Sequence, residues 1–167
     1  GLMATFMAKW SNDFPGQSGH IHISAQNADG GQSAFYDEND QNGMSQTMKY
    51  FVAGQQKMMG AFLCMVASTV NSFSRLVPGF WAPVNSTWGV DNRTCALRVI
   101  SGSPDSQRVE YRVAAADVNP YLALAAAIGS GLYGIENRME LPEPVKGNAY
   151  DQQHSPDTAL PATLWEA

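Results

Sequence analysis

Residues 119–137 constrain the fold more than any other stretch of this chain. Asn119-Pro120 is a helix-opening pair, and the run that follows, Ala123 to Gly131, is small and apolar. Proline at the first helical position needs no amide partner, and its fixed φ suits the turn. A helix built on alanine, glycine and serine has no bulky side chains with which to fill a core, so it must lie tightly against another element. It is too short for a bilayer: no apolar stretch in the sequence approaches the roughly 20 residues that a span requires.

A second helical pattern runs from about Ser45 to Val70, with Met44, Met48, Phe51, Val52, Met58, Met59, Phe62, Leu63 and Val66 recurring at three- and four-residue steps. That period makes a core-facing stripe, although methionines also suit adaptable grooves. Elsewhere the pattern is β-like. Residues 3–10, 18–26, 33–36, 84–90, 94–100 and 107–113 read as strands, with Asp91-Asn92 as a turn pair between the fourth and fifth. Residues 71–83 read as a loop stiffened by Pro78 and Pro83, and the chain beyond Glu140 reads as an irregular extended tail. The expected class is α+β, a curved, mainly antiparallel sheet backed by the two helices. At 167 residues, with 44% hydrophobic and 15% charged residues, the composition fits one globular unit. Cys64 and Cys95 fit no paired metal motif and read as buried thiols of a reducing compartment. No signal-peptide pattern opens the chain, so a cytoplasmic location is expected. The strand-like opening and the closing Leu-Pro-Ala-Thr-Leu-Trp-Glu-Ala read as cut ends, the expectation for a piece of a larger protein.

The chemistry is concentrated. Five of the six arginines, Arg75, Arg93, Arg98, Arg108 and Arg112, lie within one 38-residue window of a chain whose formal net charge is −5. A guanidinium offers a planar fork of donors to carboxylate or phosphate oxygens. Set among prolines and tryptophans in an acidic chain, the cluster fits a shaped site for a small polyanion and not a broad nucleic-acid surface. His20 and His22 fall on one face of a strand after a glycine-rich turn; they are either a ligand pair or two surface histidines. Glu110 and Arg112 share a face in the same way, as a site pair or a structural ion pair. Arg93 and Arg98 are an odd number apart, which places Arg93 in the turn.

In order and spacing, Pro15–Ser24 (PGQSGHIHIS), Asn71–Asn85 (NSFSRLVPGFWAPVN), Asp91–Ile100 (DNRTCALRVI), Arg108–Arg112 (RVEYR) and Asn119–Ile128 (NPYLALAAAI) resemble the later part of the catalytic domain of the glutamine synthetase family. The resemblance implies a partial catalytic domain over residues 1–167, with the small N-terminal domain and the early catalytic strands absent. It implies an ATP-dependent glutamate–amine ligase: a γ-glutamyl phosphate forms, and ammonia or an amine attacks it. Mg2+ or Mn2+ would be the metal, and a ring-type homo-oligomer the assembly, with no nucleic acid or membrane as partner. His20 and Glu110 would be metal ligands. Arg75 and Arg112 would bind carboxyl and transferring phosphoryl oxygens, and Arg93 and Arg98 nucleotide phosphates, with Arg75, Arg93 and Arg112 the catalytic set. His22 and Ser24 would lie near the nucleotide, while Gly16 and His20 would lie at the amino-acid substrate. Arg75 to Trp81 would form a closing loop that keeps water from the acyl phosphate.

Three positions depart from the family pattern. Trp81 stands where ammonium-using members carry a glutamate, Pro15 where an asparagine is usual, and Asp105 where a lysine is usual. An indole has only a donor and cannot take a proton from ammonium. Either Trp81 forms an aromatic wall for a larger amine or it packs within the loop. The sheet is expected to be incomplete, and the chain alone inactive. Two other readings remain: a non-catalytic structural relative, and a small metal-binding barrel built on His20, His22 and Glu110, which would need a further histidine where only His154 is left.

Overall fold

The computed structural model describes all 167 residues. Its elements in chain order are β1 (Ile21–Ile23), α1 (Gln46–Met58), α2 (Leu63–Val66), α3 (Val70–Ser74), β2 (Trp88–Val90), β3 (Leu97–Ile100), β4 (Arg108–Tyr111) and α4 (Pro120–Glu136), with two single-turn 3-10 segments at Ala149–Asp151 and Pro156–Thr158. The four strands form one sheet in the order β1-β4-β3-β2. This is the expected α+β class.

α4 forms as its sequence predicts. The Asn119 side chain accepts hydrogen bonds from the Tyr121 and Leu122 amides, with Pro120 opening the first turn. α1 is capped by Ser45, which accepts from the Met48 amide at 3.1 Å. The two helices meet at Gly54 and Gly134 with no side chain between them. A Cβ added at Gly54 would lie 2.6 Å from the Gly134 Cα, and one added at Gly134 would lie 2.7 Å from the Gly54 Cα. The Phe51 ring likewise covers Gly131, leaving no room for a Cβ there. Buried Gln55 crosses the seam and donates to the Ala127 carbonyl at 2.9 Å.

The core lies between this helix pair and one face of the sheet, where Leu97, Val99, Val109 and Tyr111 join Met48, Phe51, Val52, Ala123 and Ala127. The strand period sends the alternate residues to the other face. One row across the sheet therefore reads His22, Glu110, Arg98, Gly89. All the charged side chains of that row stand opposite the core.

Several expectations need correction. The helical stretch 45–70 is broken after Met58, and α3 occupies part of the expected loop 71–83, begun by a capping box in which Thr69 and Ser72 satisfy each other's amides. Residues 3–10 form no strand, because no partner strand lies beside them; Leu2, Met3, Phe6 and Trp10 are exposed. Residues 33–36 contribute only isolated bridges, Gln26 with Ser33 and Tyr36 with Met44. β2 and β3 do not form a hairpin across Asp91-Asn92. They run parallel, Trp88 beside Leu97, because residues 91–96 double back before β3 starts. The other two pairings are antiparallel, so the sheet remains mainly antiparallel. The tail is irregular as expected, but it is docked along residues 84–88: Val145 donates to the Trp88 carbonyl at 2.9 Å, Ser86 to Thr158 at 2.7 Å and Leu160 to Val84 at 3.0 Å. Cys95 is buried and Cys64 half-buried, both as free thiols.

Candidate active site

Glu110 is the hub of the polar face. It sits at the centre of β4 and is only 3% exposed. Its Oε1 accepts from Arg112 Nη1 at 3.0 Å and lies 2.9 Å from His20 Nδ1, while its Oε2 accepts from Arg98 Nη1 at 3.1 Å. His22 Nε2 stands 3.7 Å from Oε1. This follows from register: Ile21 pairs with Tyr111, so counting one place back along β1 and one forward along β4 sets His20 opposite Arg112. Burial works to raise the Glu110 carboxyl, but Arg112 and Arg98 hold it below its usual value. His20, with its side chain 28% exposed, is lowered to about 4 by burial and by the Arg112 charge, against the pull of Glu110. Its imidazole is therefore neutral near pH 7, the form that can ligate a metal.

Arg98 links this hub to a cleft of about 770 Å3 on the neighbouring edge. Its Nε donates to Asp91 Oδ1 at 2.9 Å and its Nη2 bonds the same oxygen. Asp91 lines the cleft together with Trp81, Asn92, Arg93, Lys146 and Asn148. Arg93 does lie in the turn between β2 and β3, exposed and without an ion-pair partner. Trp81 is 60% exposed with φ +60, a left-handed backbone unusual for an aromatic residue.

Arg75 is placed differently. It caps the C-terminal end of α3, 2% exposed, and its Nη2 donates to the carbonyls of Val113 at 2.5 Å, Ala114 at 3.2 Å and Arg112 at 3.4 Å. Burial and the nearby Arg112 charge lower it to about 10. α3 is itself anchored by Asp117, which accepts from Thr69 Oγ1 at 2.8 Å and Ser72 Oγ at 2.9 Å. Gly16 is pressed against the Arg75 side chain: an added Cβ would meet Arg75 Cγ at 2.5 Å. Ser24 is exposed beyond the end of β1. Arg108 donates from Nε to His22 Nδ1 at 3.3 Å and from Nη1 to the Ser106 carbonyl at 2.8 Å.

His20, His22, Arg98, Glu110 and Arg112 are thus brought into one cluster, Trp81 and Arg93 face a shared cleft beside it, and Arg75 is buried with half-buried Gly16 against it. Sequence reasoning missed Asn92 and the tail. Asn92 Nδ2 donates to the carbonyls of Val145 at 3.2 Å and Gly147 at 2.8 Å, which makes residues 143–148 a cleft wall. Its only sequence signal was a place in a turn pair. His154 lies on its own, its ring nitrogen 2.7 Å from the Ala149 carbonyl, and adds nothing to the histidine pair. The metal-binding barrel therefore lacks its third histidine.

The sequence profile described as "Glutamine synthetase, catalytic domain" matches residues 1–167. The chain belongs to the glutamine synthetase catalytic-domain family. Among its relatives in that family, a type-1 glutamine synthetase 2 of Dictyostelium discoideum is 50% identical over 90% of this chain and 29% of its own length. A gamma-glutamylethanolamide synthetase of Streptomyces coelicolor is 47% identical over 99% of this chain and 35% of its own, and a glutamate–isopropylamine ligase of a Pseudomonas species is 40% identical over 100% and 36%. The chain spans about a third of the length of these glutamine synthetase relatives. No helix is long and apolar enough to cross a membrane.

Proposed function

We propose that this chain is part of an ATP-dependent glutamate–amine ligase whose acceptor is an amine larger than ammonia. The carrying observation is Trp81 in the wall of the cleft that also holds the unpaired Arg93. The names of two relatives, an ethanolamide synthetase and an isopropylamine ligase, support the same direction. ATP would phosphorylate the γ-carboxylate of glutamate, and the amine would displace phosphate from the resulting acyl phosphate. The site's own groups suit that charge flow. Arg93 is free to meet phosphate oxygens, and Arg112, which bonds Glu110 through Nη1 alone, can turn its remaining donors to developing charge, while the Arg98 fork is occupied by Asp91 and Glu110. The indole face of Trp81 is suited to an alkylammonium before it is deprotonated, by cation–π attraction.

A divalent cation, Mg2+ or Mn2+, belongs to the family's chemistry, but these residues do not make a full site for one. No group of three or more ligating side chains is assembled, and both oxygens of the single carboxylate are taken up by guanidinium and imidazole. A hard cation needs more oxygen ligands than this. His20 and Glu110 would supply part of a shell completed by other residues. For the same reason the 167 residues alone are expected to be inactive; γ-glutamyl transfer by them would refute that. The whole protein would be a ring-type homo-oligomer acting on glutamate and a small amine.

The test is a panel of amines with the full-length protein, ammonia among them. Alkylamines or ethanolamine should be the better acceptors by kcat/KM. Ammonia as clearly the best acceptor removes the reading.

A further inference from the structure

Lys9 is buried, 5% exposed, yet its ammonium has neither a carboxylate partner nor a hydrogen-bond acceptor in the chain. What lies beside it is the Phe80 ring, with Nζ 4.4 Å from the centroid. The backbone of Lys9 is held firmly. Its amide donates to Asn71 Oδ1 at 2.9 Å, Asn71 Nδ2 donates to its carbonyl at 2.7 Å, and Gln17 donates to the Ala8 carbonyl at 2.7 Å. Asn71 belongs to α3, so the base of the lysine is fixed to the body of the molecule while its tip reaches the loop that follows α3.

The ends of that loop are packed, Leu76 against the core and Ala82 and Pro83 buried, but its tip from Val77 to Trp81 has little else to hold it. The backbone amides of Leu76, Val77 and Phe80 bond only to Phe73, Arg75 and Val77, within α3 and the loop itself. Gly79 and Trp81 both have positive φ, and Val77 and Trp81 are exposed. The residue held by Lys9 is the immediate neighbour of the residue that walls the cleft.

We propose that Lys9 is a positioning residue: it tethers the 76–83 loop through the Phe80 ring and so sets where Trp81 stands over the cleft. The part of this that concerns the acceptor rests on Trp81 being the amine's wall. The tether itself is independent of that.

The two are separated by two measurements. Hydrogen exchange of the Leu76–Ala82 amides is followed in the full-length protein and in Lys9→Met, Lys9→Arg and Phe80→Leu. Methionine keeps the apolar stem and removes the charge, whereas arginine keeps a cation that stacks on an aromatic ring. Exchange should rise about tenfold in Lys9→Met and Phe80→Leu, equivalent to about 1.4 kcal/mol, and return close to wild type in Lys9→Arg. Unchanged exchange in Lys9→Met, or Lys9→Arg as loose as Lys9→Met, overturns the tether. If Lys9→Met does not fold, Phe80→Leu decides: a loosened loop supports the tether and an unchanged one overturns it. The second measurement is the ratio of kcat/KM for an alkylamine to that for ammonia, which should fall in Lys9→Met with KM for ATP unmoved. A loosened loop with an unmoved ratio overturns the acceptor role of Trp81 and leaves the tether standing.

Discussion

Replacing Glu110 by glutamine keeps its shape and removes its charge, and the consequences can be worked from its contacts. The carboxylate is buried and accepts from two guanidiniums at 3.0 and 3.1 Å, with His20 at 2.9 Å. A glutamine has one acceptor oxygen. Turned toward Arg112 and His20, it presents its amide donors to Arg98, which keeps Asp91 as a second partner. One charge-assisted hydrogen bond is lost outright, about 1.5–3 kcal/mol, and Arg112, 4% exposed, loses its only carboxylate partner. Glu110→Gln should therefore destabilise the fold by about 3 kcal/mol. In urea, with a slope of about 2 kcal/mol per molar, the midpoint should fall by about 1.5 M. Adding Arg112→Met to Glu110→Gln should cost less than the sum of the two single changes, since the orphaned charge is gone. A midpoint shift under about 0.3 M, or strict additivity, would refute the view that Glu110 is the electrostatic keystone of the sheet.

The helix seam gives a paired test. Gly134→Ala should destabilise by about 3 kcal/mol through backbone collision, whereas Gly129→Ala on the open side of α4, where a Cβ meets nothing, should stabilise by up to about 1 kcal/mol; thermal melts of both decide. His20 predicts a pH slope. Its folded pKa of about 4 lies below its ordinary 6.5, so its contribution to stability is complete above 6.5 and is lost as pH falls toward 4. His20→Gln should flatten the urea midpoint across that window, while the lowered carboxylates Glu110, Asp40 and Asp91 account for losses at more acid pH. Asn92→Ala removes donors from the Val145 and Gly147 carbonyls and an acceptor from Thr94. A cost of about 2 kcal/mol and faster proteolytic cutting within residues 143–148 are expected.

The long helices could be read from the sequence because their signals are local: a cap, a proline, a period. The cluster around Glu110 was legible for a similar reason, since the two-residue strand period places His20 with His22 and Glu110 with Arg112 before any pairing is known. What failed was partnership. Residues 3–10 have strand composition but no strand beside them, and composition cannot report a missing neighbour. The parallel pairing of β2 with β3 is a long-range fact hidden behind a turn dipeptide that usually signals a hairpin. The tail at 143–148 shows prolines and polar residues, and it is Trp88 and Asn92, far away in sequence, that make it part of the cleft. Arg75 was expected to bind carboxyl and phosphoryl oxygens; its three carbonyl partners lie just past the end of β4, where spacing gives no hint of them.

The seam between α1 and α4 has a mechanical consequence. Backbone meets backbone at Gly54 and Gly134, so at that crossing no side chain can change rotamer and let one helix slide on the other, and Phe51 and Gln55 fix the rest of the seam. The pair behaves as a stiff plate, and the sheet with its polar row is mounted on it. Movement that accompanies ligand binding then falls to segments outside the plate, among them the tip of the loop carrying Trp81 and the tail docked on Trp88 and Asn92. Those segments are the two walls of the same cleft.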